Sequence, residues 1–169
     1  MNIREGYRIM RESVTEDTFL LACTSPLAPL AGLCDSMRTS GDVFESWEAA
    51  RCLFSSNLNR YFYHKRYFIN DFDCLVVREA EEEDSQCGRN LIRNKEEIRS
   101  YLTAIASSGG TLMLSDKMTL LSEEKIQLLS KLFPLNTQEA VPLDFAETDI
   151  PGILGFGYRG NTRIVALIN

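Results

Sequence analysis

The sequence predicts an α/β fold, and three observations carry that reading. Short apolar runs occur at Phe19–Cys23, Tyr67–Ile69 with Cys74–Val77, and Thr111–Leu114. Between them lie longer stretches whose apolar residues recur every three or four positions, the period of a helix packed on one face. After about residue 134 this rhythm gives way to β-like segments. An order of helix, strand, helix, strand, helix, strand, helix is what βα units around a parallel sheet produce.

Taken in order, Ile3, Tyr7, Met10 and Val14 mark an amphipathic helix over residues 2–14. Phe19-Leu20-Leu21-Ala22-Cys23 is continuously apolar, as suits a strand buried on both faces. Residues 24–41 are rich in Pro, Ser, Thr and Gly and read as a long loop. Val43, Trp47, Ala50, Phe54, Leu58 and Tyr61 predict a helix over roughly 43–64. Tyr67–Ile69 and Cys74–Val77 read as strand material on either side of Asn70-Asp71-Phe72-Asp73. The acidic run Glu79 to Asp84 reads as a solvated loop. Asn94 opens a helix, and Glu97 stands where a capping box needs it. Ile98, Leu102 and Ile105 give that helix its buried face, and Ser107-Ser108-Gly109-Gly110 ends it. Thr111–Leu114 is the third strand. Ser122 caps a last helix with Ile126, Leu129 and Leu132 on its apolar stripe, and Pro134 stops it. Ile153–Gly157 and Arg163–Ile168, separated by Arg159-Gly160-Asn161, predict a β-hairpin. About three strands are too few for a whole (β/α)8 barrel, which takes roughly 250 residues.

Composition narrows the function. The chain has 169 residues, 44% of them apolar and 25% charged, enough for one domain with a real core. Its formal charge is −6, from 18 basic and 24 acidic residues, which argues against a nucleic-acid partner. It has no polybasic patch and no apolar run that could span a bilayer, so no membrane partner is expected. The N-terminal residues carry no signal-peptide core, and a cytoplasmic protein is the expectation. Five cysteines, at 23, 34, 52, 74 and 87, are odd in number and match no zinc or redox spacing. Free thiols in a reducing compartment fit best. A single histidine, His64, argues against a His-based triad or a multi-histidine metal site. Acid/base chemistry must therefore fall mainly to carboxylates, and no metal or organic cofactor is implied.

In α/β folds active groups collect beyond the C-terminal ends of strands. Three such clusters are visible: Cys23 with the stretch Cys34–Asp42; Asn70, Asp71 and Asp73; and Ser115 with Asp116. Carboxylates dominate them, as glycoside chemistry requires.

These clusters carry a resemblance. Gly32-Leu33-Cys34-Asp35-Ser36-Met37-Arg38-Thr39-Ser40-Gly41-Asp42-Val43 resembles the G-L-x-D-x-M-R-x-x-x-D-V stretch of glycoside hydrolase family 36, the melibiase-type α-galactosidases. Cys23-Thr24-Ser25-Pro26-Leu27 is similar to that family's C-G-x-P-L segment. Asn70-Asp71-Phe72-Asp73-Cys74-Leu75 is similar to its N-D-P-D-C-L, and Ser108-Gly109-Gly110 through Leu114-Ser115-Asp116 to its S-G-G-x-x-x-L-S-D. Four weak motifs in the right order make one specific match along nearly the whole chain.

The resemblance implies the last three βα units of a TIM barrel over residues 1–138, equivalent to strands 6–8. Residues 139–169 would then begin a C-terminal β-sandwich. It implies retaining hydrolysis of terminal α-galactosides in oligosaccharides. Asp42 matches the general acid/base, and Arg38 the arginine that contacts the sugar beside it. Cys23 lies at a strand end that approaches the sugar. Asp71 and Asp73 would shape the pocket or touch Arg38. Phe72 replaces the family's Pro, Thr24 replaces a common Gly, and the lysine-x-aspartate segment that holds the nucleophile is absent. The chain therefore reads as a piece carrying half a site. Its open barrel edges predict association with a second copy or with a complementing N-terminal chain.

Plainer readings stand beside these. Asp42 could N-cap the following helix with Glu45, and Arg38–Asp42 could be a surface ion pair of little energetic weight. Asp71 and Asp73 could cap a turn, and Cys23 could be a small buried apolar residue. Ser115 and Asp116 read as turn residues, and His64 as a favourable charge at a helix end. Trp47 reads as core, and Gly109-Gly110 as a helix stop rather than a phosphate loop. The rival functions are a non-catalytic remnant that binds sugar weakly or only associates, and an unrelated small α/β domain.

Overall fold

A computed structural model of the chain describes residues 2–23, 25–43, 46–77, 94–134, 138, 140–158 and 162–168. The acidic run at 79–84, Cys87, Glu45 and the hairpin turn at 159–161 lie outside them. Helix α1 (Ile3–Glu12) begins where the Asn2 side chain accepts the Glu5 N–H at 2.9 Å. Strand β1 (Leu21–Ala22) follows, then α2 (Leu27–Leu30), β2 (Ser36–Arg38) and α3 (Trp47–Leu58). A 3-10 turn at Tyr61–Tyr63 leads to β3 (Ile69–Leu75), and α4 (Lys95–Ser108) leads to β4 (Thr111–Leu114). Helix α5 (Glu123–Ser130) and strands β5 (Val141–Pro142), β6 (Ile153–Tyr158) and β7 (Thr162–Leu167) complete the order.

The fold is mixed α/β. Among the described residues β1 to β4 form a parallel sheet in consecutive order, and β5 to β7 form a separate antiparallel sheet. The pairing β6–β7 is the hairpin the sequence predicts. The parallel register sets Leu21 against Ser36, Ser36 against Ile69, Arg38 against Asp71, and Asp71 against Thr111.

Two expectations are corrected. The loop expected at 24–41 contains α2 and β2. Strand β2 is Ser-Met-Arg, with one apolar residue, so it carries no run to recognise. It is a strand because β1 and β3 flank it, Met37 is fully buried, and the Ser36 hydroxyl donates to Ile69 O at 2.9 Å. Likewise Asn70–Asp73 is not a turn between two strands. It lies inside the single strand β3, where buried polar groups survive because partners meet them. Asn70 N–H donates to His64 Nδ1 at 3.1 Å, and its amide donates to Arg60 O at 3.1 Å.

Helix α3 starts later than expected, at Trp47. Ser46 caps it by accepting the Ala49 N–H at 3.2 Å, so Asp42 is not its N-cap. Helix α4 is capped as its sequence predicts: Asn94 accepts the Glu97 N–H at 2.8 Å and Glu97 reaches back to the Asn94 N–H. Gly109 ends it in the left-handed conformation. Gly110 then passes so close to β3 that a Cβ there would stand 2.2 Å from Asn70 O. In α5, Ser122 makes no side-chain cap bond, and Ile126 is exposed rather than on the buried face.

One apolar core joins α3, α4 and both sheets. Ala50, Phe54, Phe72, Leu75, Tyr101 and Leu102 meet Leu154 of β6, with Ala166 and Ile168 packed against them. The Ala140 N–H donates to Ser107 O at 2.9 Å, and Asp149 O accepts from Ser55 and Asn59 at 2.9 and 3.1 Å. The chain on either side of residue 138 thus shares one interior.

Candidate functional site

The C-terminal ends of β2 and β3 bring three charged side chains together. Arg38 Nη1 donates to Asp42 Oδ1 at 2.5 Å, and its Nη2 donates to Asp73 Oδ1 at 2.6 Å. Exposure falls steeply across the three: Asp42 is 66% exposed, Arg38 14% and Asp73 4%. The second Asp73 oxygen accepts the Val43 N–H at 2.5 Å. One buried carboxylate therefore anchors both the guanidinium that holds Asp42 and the backbone that follows it. Arg38, the less exposed partner of Asp42, is itself held by buried Asp73.

Asp73 reaches this position through uncommon backbone. Its φ is 72°, and the β3–β4 register shifts between Asp71 and Cys74. A left-handed residue other than glycine costs about 1–2 kcal/mol, least for Asp and Asn. The Asp71 side chain steadies the bulge by accepting the Asp73 N–H at 3.0 Å.

Asp71 itself is fully buried. Across the sheet its neighbour is Thr111, whose hydroxyl is buried with it. Burial pushes the Asp71 pKa up, against the pull of the Thr111 hydroxyl, the Asp73 N–H and the Arg38 charge. Burial also raises Tyr101, whose hydroxyl donates to Cys74 O at 2.8 Å beneath the cluster.

Of the residues singled out in the sequence, Arg38, Asp42 and Asp73 meet directly, and Asp71 joins them through the Asp73 N–H. Cys23 directly follows β1 and is exposed, so it is not a small buried residue. His64 is not a charge at a helix end. It is 2% exposed, and its Nδ1 accepts a hydrogen bond, which that nitrogen can do only unprotonated. Trp47 packs edge-on against Phe54 with ring centres 5.7 Å apart, as a core residue does. Asp116 accepts the Val77 N–H at 2.8 Å.

Three contributors escaped sequence reading. The Val43 N–H is backbone and leaves no trace in residue type. Thr111 is legible only as the polar residue opening an apolar strand. Thr39 hydrogen-bonds Asn57 of α3 and so pins the end of β2 to that helix, and nothing local links the two.

Among the described residues no group of three or more His, Cys, Asp or Glu is arranged to hold a metal ion. No helix among them is long and apolar enough to cross a membrane. A cleft of 170 Å³ between α4 and α5, lined in part by Lys95, Arg99 and Lys125, lies on the helical layer rather than at the strand ends. No protein-family model matches the chain.

Proposed function

We propose that the chain carries the acid/base half of a glycosidase site of the α-galactosidase kind, as part of a (β/α)8 barrel. The observation that carries this reading is Arg38 held between buried Asp73 and exposed Asp42. It places one accessible, positioned carboxylate at the C-terminal ends of consecutively ordered parallel strands. Barrel enzymes keep their chemistry at that end of the sheet. Asp42 would protonate the glycosidic oxygen and later activate water. Both terminal nitrogens of Arg38 are engaged by carboxylates, so its first task is to hold Asp42, with any sugar contact secondary. Asp71 and Asp73 are framework rather than sugar ligands. Residues 139–169 would begin the β domain that follows such barrels.

A non-catalytic reading is favoured by one feature of the same cluster. A retaining mechanism needs two carboxyl groups about 5 Å apart, both facing the sugar. Asp73, the other carboxylate on Arg38, is buried and has both oxygens bonded, so it is not a nucleophile. The isolated chain should then bind an α-galactoside weakly without cleaving it.

The test is release of chromophore from an aryl α-galactoside, run beside a galactose-binding titration, for the parent, Asp42→Asn and Arg38→Ala. Binding without turnover, weakened in Arg38→Ala, supports the half-site. Turnover lost in Asp42→Asn supports a full hydrolase and requires a nucleophile from this chain. Neither binding nor turnover removes the glycosidase reading.

A further inference from the structure

We propose that the cleft between α4 and α5 binds a small organic phosphate, its anionic head held by Arg99, Lys125 and Lys131 and its body resting on Ile98 and Leu128. The site lies on the helical layer, apart from the Arg38–Asp42 cluster, and does not depend on the glycosidase reading.

The lining is unevenly charged. Lys95, Arg99, Lys125 and Lys131 contribute cations, and Glu124 contributes a carboxylate. The chain as a whole carries −6, so this concentration of positive charge runs against its composition. Lys95 of α4 and Glu124 of α5 meet at 2.6 Å and are 67% and 70% exposed, an ion pair across the cleft that solvent can reach. Glu123, next to that carboxylate, accepts from the Gln127 amide at 3.2 Å. Lys125 lines the cleft and is only 9% exposed, so this cation is held in place and poorly screened by bulk water.

The carboxylate present reports the local field. The Lys95 hydrogen bond and charge hold the Glu124 pKa below its ordinary value against slight desolvation, and the charges of Arg99 and Lys125 add to the pull. Cations from both helices therefore already converge on an anionic oxygen at this spot.

Chemistry selects the ligand. A carboxylate brings one negative charge, as Glu124 does. A phosphate monoester brings about −1.5 to −2 at pH 7 and three acceptor oxygens. An arginine fork beside lysine point charges suits such a head. Ser122 adds a hydroxyl that makes no cap bond to its own helix. Ile98 and Leu128 supply the apolar part of the lining. The volume of 170 Å³ falls below the roughly 300 Å³ at which pockets for drug-sized ligands begin, so the body is a few carbons or one ring rather than a nucleotide. A ligand there would tie α4 to α5 as the Lys95–Glu124 pair does.

Titration calorimetry of the full chain with phenyl phosphate, inorganic phosphate and benzoate tests this. Phenyl phosphate should bind saturably, one per chain, and more tightly than either of the others. Inorganic phosphate lacks the ring, and benzoate lacks the second charge. Arg99→Gln with Lys131→Gln should weaken it at least about tenfold. Arg51→Gln with Arg163→Gln removes the same charge from exposed positions outside the lining and should change the affinity by less than about twofold. Glu124→Gln should tighten binding about threefold by removing the competing carboxylate, and a variant that merely disturbed the helices would not tighten it. Amide chemical shifts on the parent need no substitution and should move most within 95–99 and 122–131. No saturable binding, equal affinity for the three probes, equal losses in the two double variants, no gain in Glu124→Gln, or shifts centred elsewhere would overturn the proposal.

Discussion

Asp73 and Arg38 form a half-buried ion pair at 2.6 Å in which the carboxylate is the more deeply set partner. Asp73 spends its other oxygen on the Val43 N–H. The exposed end of the cluster, Asp42, therefore inherits its position from a residue that solvent barely touches. Four expectations about stability follow from this arrangement and its surroundings, apart from the activity assay already described.

Replacing Asp73 should cost more than replacing Asp42. Asp73→Ala leaves the Arg38 guanidinium half-buried with only its exposed partner, and a broken buried pair costs about 3–5 kcal/mol. Asp73→Asn tolerates the left-handed backbone equally well, so its smaller loss, about 1.5–3 kcal/mol, isolates the charge. Asp42→Asn removes a pair with one exposed partner, worth no more than about 1 kcal/mol. Urea unfolding of the three variants checks the ranking, and equal losses at 42 and 73 would contradict it.

Asp71 should make stability fall with rising pH. Its folded pKa is raised, so the folded state holds this proton more tightly than the unfolded chain does. The contribution is full below the unfolded value, about 3.9, and is lost as pH climbs through the raised folded value. Asp71→Asn cannot ionise and can still accept the Asp73 N–H. Its unfolding free energy should therefore gain on that of the parent as pH increases. Parallel curves for the two proteins from mildly acidic to neutral pH would show that position 71 does not titrate as described.

Gly110→Ala should be among the most damaging single-methyl changes in the chain. The new Cβ would meet Asn70 O at 2.2 Å, and that oxygen belongs to a central strand. Overpacking typically costs about 1–3 kcal/mol, and a rigid backbone neighbour places this case at the upper end or beyond. Thermal melting by circular dichroism would record it, and an unchanged midpoint would mean that β3 and β4 can part at no cost.

Asn94→Ala should cost about 1 kcal/mol through loss of the α4 cap. Asn94→Gly should lose only a few tenths. The difference between the two, read from denaturant midpoints, separates the cap from general disturbance of the segment before α4.

What could be read beforehand divides along physical lines. Helix α4 was legible at both ends because its signals are local: Asn94 and Glu97 lie three residues apart, and Gly109 directly follows the last turn. Strand β4 announced itself by three consecutive large apolar residues. Strand β2 did not, because Ser36, Met37 and Arg38 become a strand only when β1 and β3 lie on either side. Polar β3 was misread for a related reason: Asp71 and Asp73 read as a turn until their buried partners are known. Within the cluster, Arg38 and Asp42 stand four residues apart and could be paired from spacing. The Asp73 contact spans 35 positions and is a property of the fold. The residue types were visible in advance, and the direction in which each one pulls was not.

The strands after residue 140 are not an appendage. Leu154 is fully buried in the core that includes residues of α3 and α4, and the Ala140 amide is bound to the last turn of α4. A stop codon or protease nick near residue 138 should therefore not release a tidy smaller protein. It would uncap the floor on which Phe54 and Tyr101 rest, and the remainder should melt early and as one body. Shortened versions of the chain must keep the tail, or they will report collapse and be mistaken for loss of function.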